Sequence, residues 1–248
     1  MPRDKSILEP GLQRDLLPVN AVIGFLKRDR RCPSVLYERG YRLAAVDQLV
    51  SVPTAGRAEV DVVCLNHRRN HAILWECKSG RTAKEAQARV YAAATAEDVQ
   101  RTGNITFPNP ASASVEPAYC CLEKDSGAIV ESLQSFGLDV PVVALGASAQ
   151  LVRGHFKDEA VHTGFFEGVR LPRLEEMPRF LLANIHTPKD RIAAAVFATM
   201  VSLLRKQSGR FSVVHVLEET FPDWACMGTD LRRYLRSTGN EIVKELRK

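Results

Sequence analysis

Apolar and polar positions change rhythm several times along the chain. Residues 1–40 read as partly helical, with a mostly apolar stretch from Leu16 to Lys27 and an interruption at Pro33. Tyr41–Val52 then reads as a strand, closed by Pro53 and Gly56, and Glu59–Leu65 as a second. The polar turn Asn66-His67-Arg68-Arg69-Asn70 joins it to a third, His71–Lys78, and two apolar runs linked in this way predict an antiparallel hairpin. Thr82-Ala83-Lys84-Glu85 has the form of a capping box and opens an alanine-rich helix to about Thr102. A Pro-, Asn- and Ser-rich loop at 104–114 precedes a strand at Val115–Leu122. A helix at Ser126–Phe136, stopped by Gly137, and a strand at Val140–Leu145 follow. Residues 1–146 therefore predict an α/β unit, a mixed central sheet flanked by helices. Residues 147–186 read as a connecting region or an extension of that core. Residues 187–248 predict a small all-α, helix-turn-helix-like domain: Ile192–Leu204, Ser212 to about Thr220, and a last helix from Thr229, bent at Gly239.

Three charged positions break the apolar runs. Asp61 lies in Ala58–Leu65, and Glu76 and Lys78 lie in Ala72–Lys78. A charge inside a strand that otherwise reads as buried is costly unless it is paired or binds a metal. Side chains alternate across a strand, so Glu76 and Lys78 share a face with Ala72 and Leu74, and Asp61 shares one with Glu59, Val63 and Leu65. With those faces aligned in the hairpin, Asp61 lies near Glu76 and Lys78. Asp61 and Glu76 are hard oxygen ligands suited to Mg2+ or Mn2+, with Glu59 as a further donor. A cation so held can activate water against a phosphodiester, and Lys78 can neutralise the charge that builds on the phosphate. The plainer reading of the same residues is a structural ion pair at a strand end.

Composition narrows the picture only a little. With 34 Lys and Arg against 29 Asp and Glu, the net charge is +5, a mild bias toward polyanions. The bias is local: residues 28–42 hold five arginines and two acids, and residues 67–89 hold six Lys/Arg and two acids. No apolar run is long enough to span a bilayer, and Met1-Pro2-Arg3-Asp4-Lys5 lacks an apolar signal core. The six cysteines show no paired spacing, and His67 with His71 alone is too little for zinc. A cytoplasmic protein without disulfides or a membrane partner is expected.

Asp61, a spacer of fourteen residues, and then Glu76-Cys77-Lys78 resemble the signature of the PD-(D/E)xK nuclease superfamily, also called the restriction-endonuclease-like fold. The predicted order of elements over residues 15–146 is similar to its αβββαβ core. Val60 stands where a proline often precedes the first acid. The resemblance implies a Mg2+-dependent nuclease, acting on DNA rather than RNA, in which Asp61 and Glu76 hold the metal and Lys78 supports the nucleophile. Gln87 and Tyr91, four apart on one helix face, resemble the Gln-x-x-x-Tyr element of RecB-like branches, which flanks the site and contacts the nucleic-acid backbone. Lys84, one turn earlier, faces phosphate in the same reading.

Many members also carry an acid from the first helix. Glu38 is the candidate here, with Glu59 next and Glu9 a further option. Arg68 and Arg69 in the hairpin turn, and Arg232, Arg233 and Arg236 in the last helix, are candidate phosphate contacts. The last helix reads equally as a solvated amphipathic one packed through Leu231, Leu235 and Val243. Restriction, phage defence, repair and transposition all suit such an enzyme. Cutting both strands favours a homodimer, and a gating protein partner is a further expectation. The alternative from another class is an inactive nucleic-acid-binding or scaffold protein of the same fold.

Overall fold

The alternating residues 42–78 form an antiparallel meander: β1 (Arg42–Val52), β2 (Gly56–Asn66) and β3 (His71–Lys78). In this computed structural model the described residues are 10–102, 105–173, 176–178, 180, 183–184, 187–206 and 211–246. Glu9 and the opening Met1–Lys5 therefore lie outside them. The predicted hairpin is present, with Val62 opposite Trp75 and Asn66 opposite His71. Next come β4 (Ser114–Leu122), parallel to β3, and β5 (Val142–Leu145), parallel to β4. Antiparallel β6 (Ser148–Arg153) and β7 (Val169–Arg170) complete a sheet whose order, among the described residues, is β1 to β7 in sequence.

Parallel neighbours require crossovers. Here α3 (Glu85–Ala93) and α4 (Ala96–Thr102) link β3 to β4, and α5 (Glu123–Ser135) links β4 to β5. All three cover one face, where Val90, Tyr91 and Val99 pack on Val63 and Leu74, and Ile129 packs near Tyr119. The other face carries α1 (Pro10–Phe25), α2 (Val35–Glu38) and α6 (Glu159–Phe166). It also carries α7 (Lys189–Lys206), α8 (Val213–Thr220) and α9 (Thr229–Leu246). Phe25, Trp75, Phe165, Val196, Leu217, Leu231 and Leu235 belong to one apolar cluster, so the C-terminal helices share the core of the sheet. β3, covered on both sides, is buried along its length except at Lys78.

The structure corrects or refines the sequence expectations in three places. The helix expected from Thr82 to Thr102 is two helices, and α3 starts after Lys84 with no side-chain cap. The box forms instead at the break: Asp98 Oδ2 accepts the Thr95 N–H at 3.1 Å and Thr95 Oγ1 accepts the Asp98 N–H at 3.3 Å. Thr-x-x-Asp satisfies the free donors of a new helix start as well as Thr-x-x-Glu does. Residues 147–170, scattered in pattern, add β6, α6 and β7. α9 runs straight through Gly239, whose missing side chain leaves room for Val213 and Leu217 of α8.

One further contact ties the C-terminal region to the meander. Met227 bridges to Val46 in parallel, and the Gly228 N–H donates to Val46 O at 2.6 Å. A Cβ at 228 would lie 1.8 Å from Asp47 O, so glycine alone fits here. No described helix is long and apolar enough to cross a membrane.

Candidate functional site

The β2–β3 ladder ends where the charges begin. Its last pair is Val62 with Trp75, and beyond it Asp61 and Glu76 stand level on strands that no longer bond each other. The Asp61 side chain replaces the missing rung: its Oδ2 accepts the Cys77 N–H at 2.6 Å. Trp75 and Cys77 point into the core beneath α1, which fixes Glu76 and Lys78 on the opposite face, toward α3.

Glu76 is almost fully buried, and both of its oxygens are engaged. Oε1 pairs with the Lys78 ammonium. Oε2 accepts from Gln87 Nε2 at 3.0 Å and from the Tyr91 hydroxyl at 2.6 Å. Gln87 spans the cluster, since its Oε1 accepts from Lys78 Nζ at 3.3 Å and its Nε2 also reaches Glu59 O at 3.2 Å. The Tyr91 hydroxyl lies between Glu76 Oε2 and Glu59 O and, with one proton, donates to one of them at a time. Burial and the Glu76 charge hold its pKa far above the usual phenol range, so it stays a donor. Asp61, Glu76, Lys78, Gln87 and Tyr91 are thus brought together, but Tyr91, expected to contact a nucleic-acid backbone, is buried with its hydroxyl on Glu76.

A third acid joins them from β1. Asp47 falls between Val46, paired with Val62, and Gln48, paired with Val60, which sets it level with Asp61. It adopts a left-handed φ of 50°, a conformation that aspartate tolerates better than most residues. No hydrogen-bond or ion-pair partner meets its carboxylate among the described residues. Burial, and then the charges of Glu59 and Glu76, push its pKa up to about 7. Burial and the neighbouring Glu76 also raise Asp61 well above the carboxylate range, against the pull of the Cys77 N–H and Lys78. Sequence reasoning missed Asp47, although the signal was the one that exposed Asp61: an acid inside an apolar run, here Leu43–Val50.

The other candidates lie elsewhere. Glu38, expected to supply the first-helix acid, ends α2 beside Asn66 and the hairpin turn. Five residues of β2 separate Asn66 from Asp61, about 16 Å along the strand, so Glu38 is at the wrong end of the hairpin. Arg68 and Arg69 are in that turn too and do not flank Glu76; Arg69 pairs with Asp158. Glu59 contributes its backbone carbonyl to Gln87 and Tyr91, and its charge acts on Asp47. Lys84 is exposed at the start of α3. On α9, Arg233 pairs with Asp230 at 2.8 Å, Arg232 is half-buried and Arg236 is exposed, while Leu231 and Leu235 are fully buried. His71 is buried, with Nδ1 2.5 Å from the Tyr41 hydroxyl, and does not pair with exposed His67.

Among the described residues no three His, Cys, Asp or Glu side chains stand ready as a metal shell. Asp61, Glu76 and Glu59 are therefore not gathered as one. The donor chemistry nevertheless fits a hard divalent cation: Asp47 and Asp61 are half-buried, mutually level carboxylates whose charge the protein leaves poorly compensated.

Fold and site together describe an α/β protein with a seven-stranded mixed sheet, a helical C-terminal region and a buried acid–lysine cluster at the fork between β2 and β3. A family model described as the MJECL32 domain matches residues 16–180, and the chain belongs to that family. No curated protein and no solved structure matches the chain. The matched span holds every residue of the cluster and runs past β7, ending before α7.

Proposed function

We propose that the protein is a metal-dependent nuclease of the PD-(D/E)xK type, hydrolysing phosphodiester bonds, with DNA the expected substrate by analogy of fold. One observation carries this reading: Asp61, Glu76 and Lys78 meet at the point where β2 and β3 part, with the Asp61 carboxylate fixed on the Cys77 N–H. The order α1, α2, β1, β2, β3, α3, α4, β4 supports it: with the four-residue α2 set aside and α3 and α4 counted as one crossover, it follows the αβββαβ order of a restriction-endonuclease-like core.

Asp61, Glu76 and Asp47 are the residues that would hold Mg2+ or Mn2+, which would supply Lewis-acid polarisation of the phosphate and a water of lowered pKa. Lys78 places a cation where charge develops on the phosphate. Gln87 and Tyr91 hold one oxygen of Glu76 and so fix the direction of the other. Gln87 also keeps Lys78 on the acid side of the strand.

The same geometry offers a second reading. Both Glu76 oxygens are already satisfied by protein donors, as in a purely structural cluster of an inactive nucleic-acid-binding or scaffold protein. Incubation of the protein with linear, circular and single-stranded DNA and with RNA, in Mg2+ or Mn2+ and in chelator, separates the two. Cation-dependent cleavage supports the nuclease. Binding without cleavage on any substrate supports the scaffold.

A further inference from the structure

A second charged feature lies at the other end of the hairpin. A cleft of about 750 Å3 opens there, lined among the described residues by Arg28, Arg39, Arg42, Arg68, Arg69 and one carboxylate, Glu38. Arg28, Arg39 and Arg42 of one basic stretch and Arg68 and Arg69 of the other thus share one surface. Among the described residues no lysine lines it.

The arginines divide by what they already do. Arg39 is spent on the fold, donating to Val35 O at 2.8 Å and to Ala160 O at 2.5 Å. Arg69 is held by the buried carboxylate of Asp158, which also caps α6. Arg42 lies 3.8 Å above the Tyr37 ring and donates through Nη1 to Tyr37 O and Tyr41 O, so its guanidinium plane is oriented while it stays exposed. Arg28 and Arg68 are exposed and make no ion pair among the described residues. Three guanidinium groups are therefore available to a ligand, one of them pre-oriented.

We propose that this cleft binds the phosphate backbone of a nucleic acid at a distance from the acid cluster. Guanidinium forks match phosphate oxygens in pairs, and a surface whose fixed cations are arginines suits that geometry better than a diffuse lysine patch. Its size suits several phosphates rather than one. The separation along β2 of about 16 Å is about five steps of duplex rise at 3.4 Å each, so one duplex can reach both ends of the hairpin. The choice of nucleic acid over an acidic protein rests on the nuclease reading. Arg28, Arg42 and Arg68 anchor the flank of the substrate, and the acids act on a bond further along.

The test is anisotropy of labelled DNA duplex and single strand, in chelator to prevent cutting, across a range of salt. The double variant Arg28→Ala/Arg68→Ala should bind about ten-fold or more weakly, and its salt dependence should lose about two units of log–log slope. Arg89→Ala, on α3 and paired with Glu85, should bind as the wild type does. Both arginines are exposed, and an unchanged melting temperature checks the fold. Equal affinity and slope for double variant and wild type overturn the proposal, as does a wild type that binds polyglutamate but no nucleic acid. Cleavage assays on the wild type keep the two readings apart. Arginine-dependent binding without cleavage retains the cleft and removes the nuclease; cleavage with arginine-independent binding does the reverse.

Discussion

Asp47 stands level with Asp61 across the β1–β2 ladder, so two carboxylates from neighbouring strands meet at one point of the sheet. Asp61 is tied to the Cys77 N–H, whereas Asp47 meets no donor among the described residues. Such an arrangement works against folding in isolation and in favour of binding a cation.

The first consequence concerns pH. Asp47 has its pKa raised to about 7 from an ordinary 3.8, so between those values the folded protein binds a proton that the unfolded chain has released. Its contribution is therefore most favourable below about pH 4 and is lost as pH rises through about 7. Asp47→Asn should raise the melting temperature by a few degrees at pH 8 without added metal and change little at pH 4. A lower melting temperature at pH 8 would show that the carboxylate is paired after all.

At Asp61 stability and chemistry separate. An amide oxygen can still accept the Cys77 N–H, but a methyl group cannot. In urea titrations Asp61→Ala should be less stable than Asp61→Asn by about 1 to 3 kcal/mol, the range for a bond to a charged group or an orphaned buried donor. Both variants should lose cleavage. Equal stabilities would mean that the bond does not close the fork.

Gly228 holds the C-terminal region against Asp47. Gly228→Ala brings a methyl carbon to 1.8 Å from Asp47 O, too close to fit, and should cost about 1 to 3 kcal/mol as overpacking does. The bond from the Gly228 N–H to Val46 O should open with it, and amide exchange at residue 228 reads this directly. Wild-type protection in the variant would refute the close approach.

The capping assignment is tested by a pair. Thr95→Ala should destabilise by about 1 kcal/mol, whereas exposed Thr82→Ala should stay within about 0.5 kcal/mol of wild type. The opposite order would restore the single helix that the sequence pattern favoured.

The legible parts of the sequence were those in which one rule acted alone. Alternation located β1 to β3, and the same alternation put Asp61, Glu76 and Lys78 on one side. Gln87 and Tyr91 followed from helical spacing. Asp47 shows in the sequence only as an acid inside an apolar run; its place opposite Asp61 depends on register and on a left-handed φ, neither of which shows in the order of residues. Glu38 misled because sequence separation says nothing about which end of a strand a preceding helix meets. The strands beyond residue 147 are short and half-exposed, and their apolar residues are too few to set a period.

Lys78 gives the most direct test of the acid–lysine cluster. Lys78→Met keeps much of the aliphatic stem and removes only the charge that faces Glu76. Single-turnover cleavage of DNA in Mg2+, at saturating protein, should fall by about 100-fold or more, as expected for lost electrostatic stabilisation of a transition state, with the variant still folded by circular dichroism. Equal cleavage rates for wild type and Lys78→Met, or no cleavage by the wild type on any DNA or RNA, would contradict a nuclease centred on these residues.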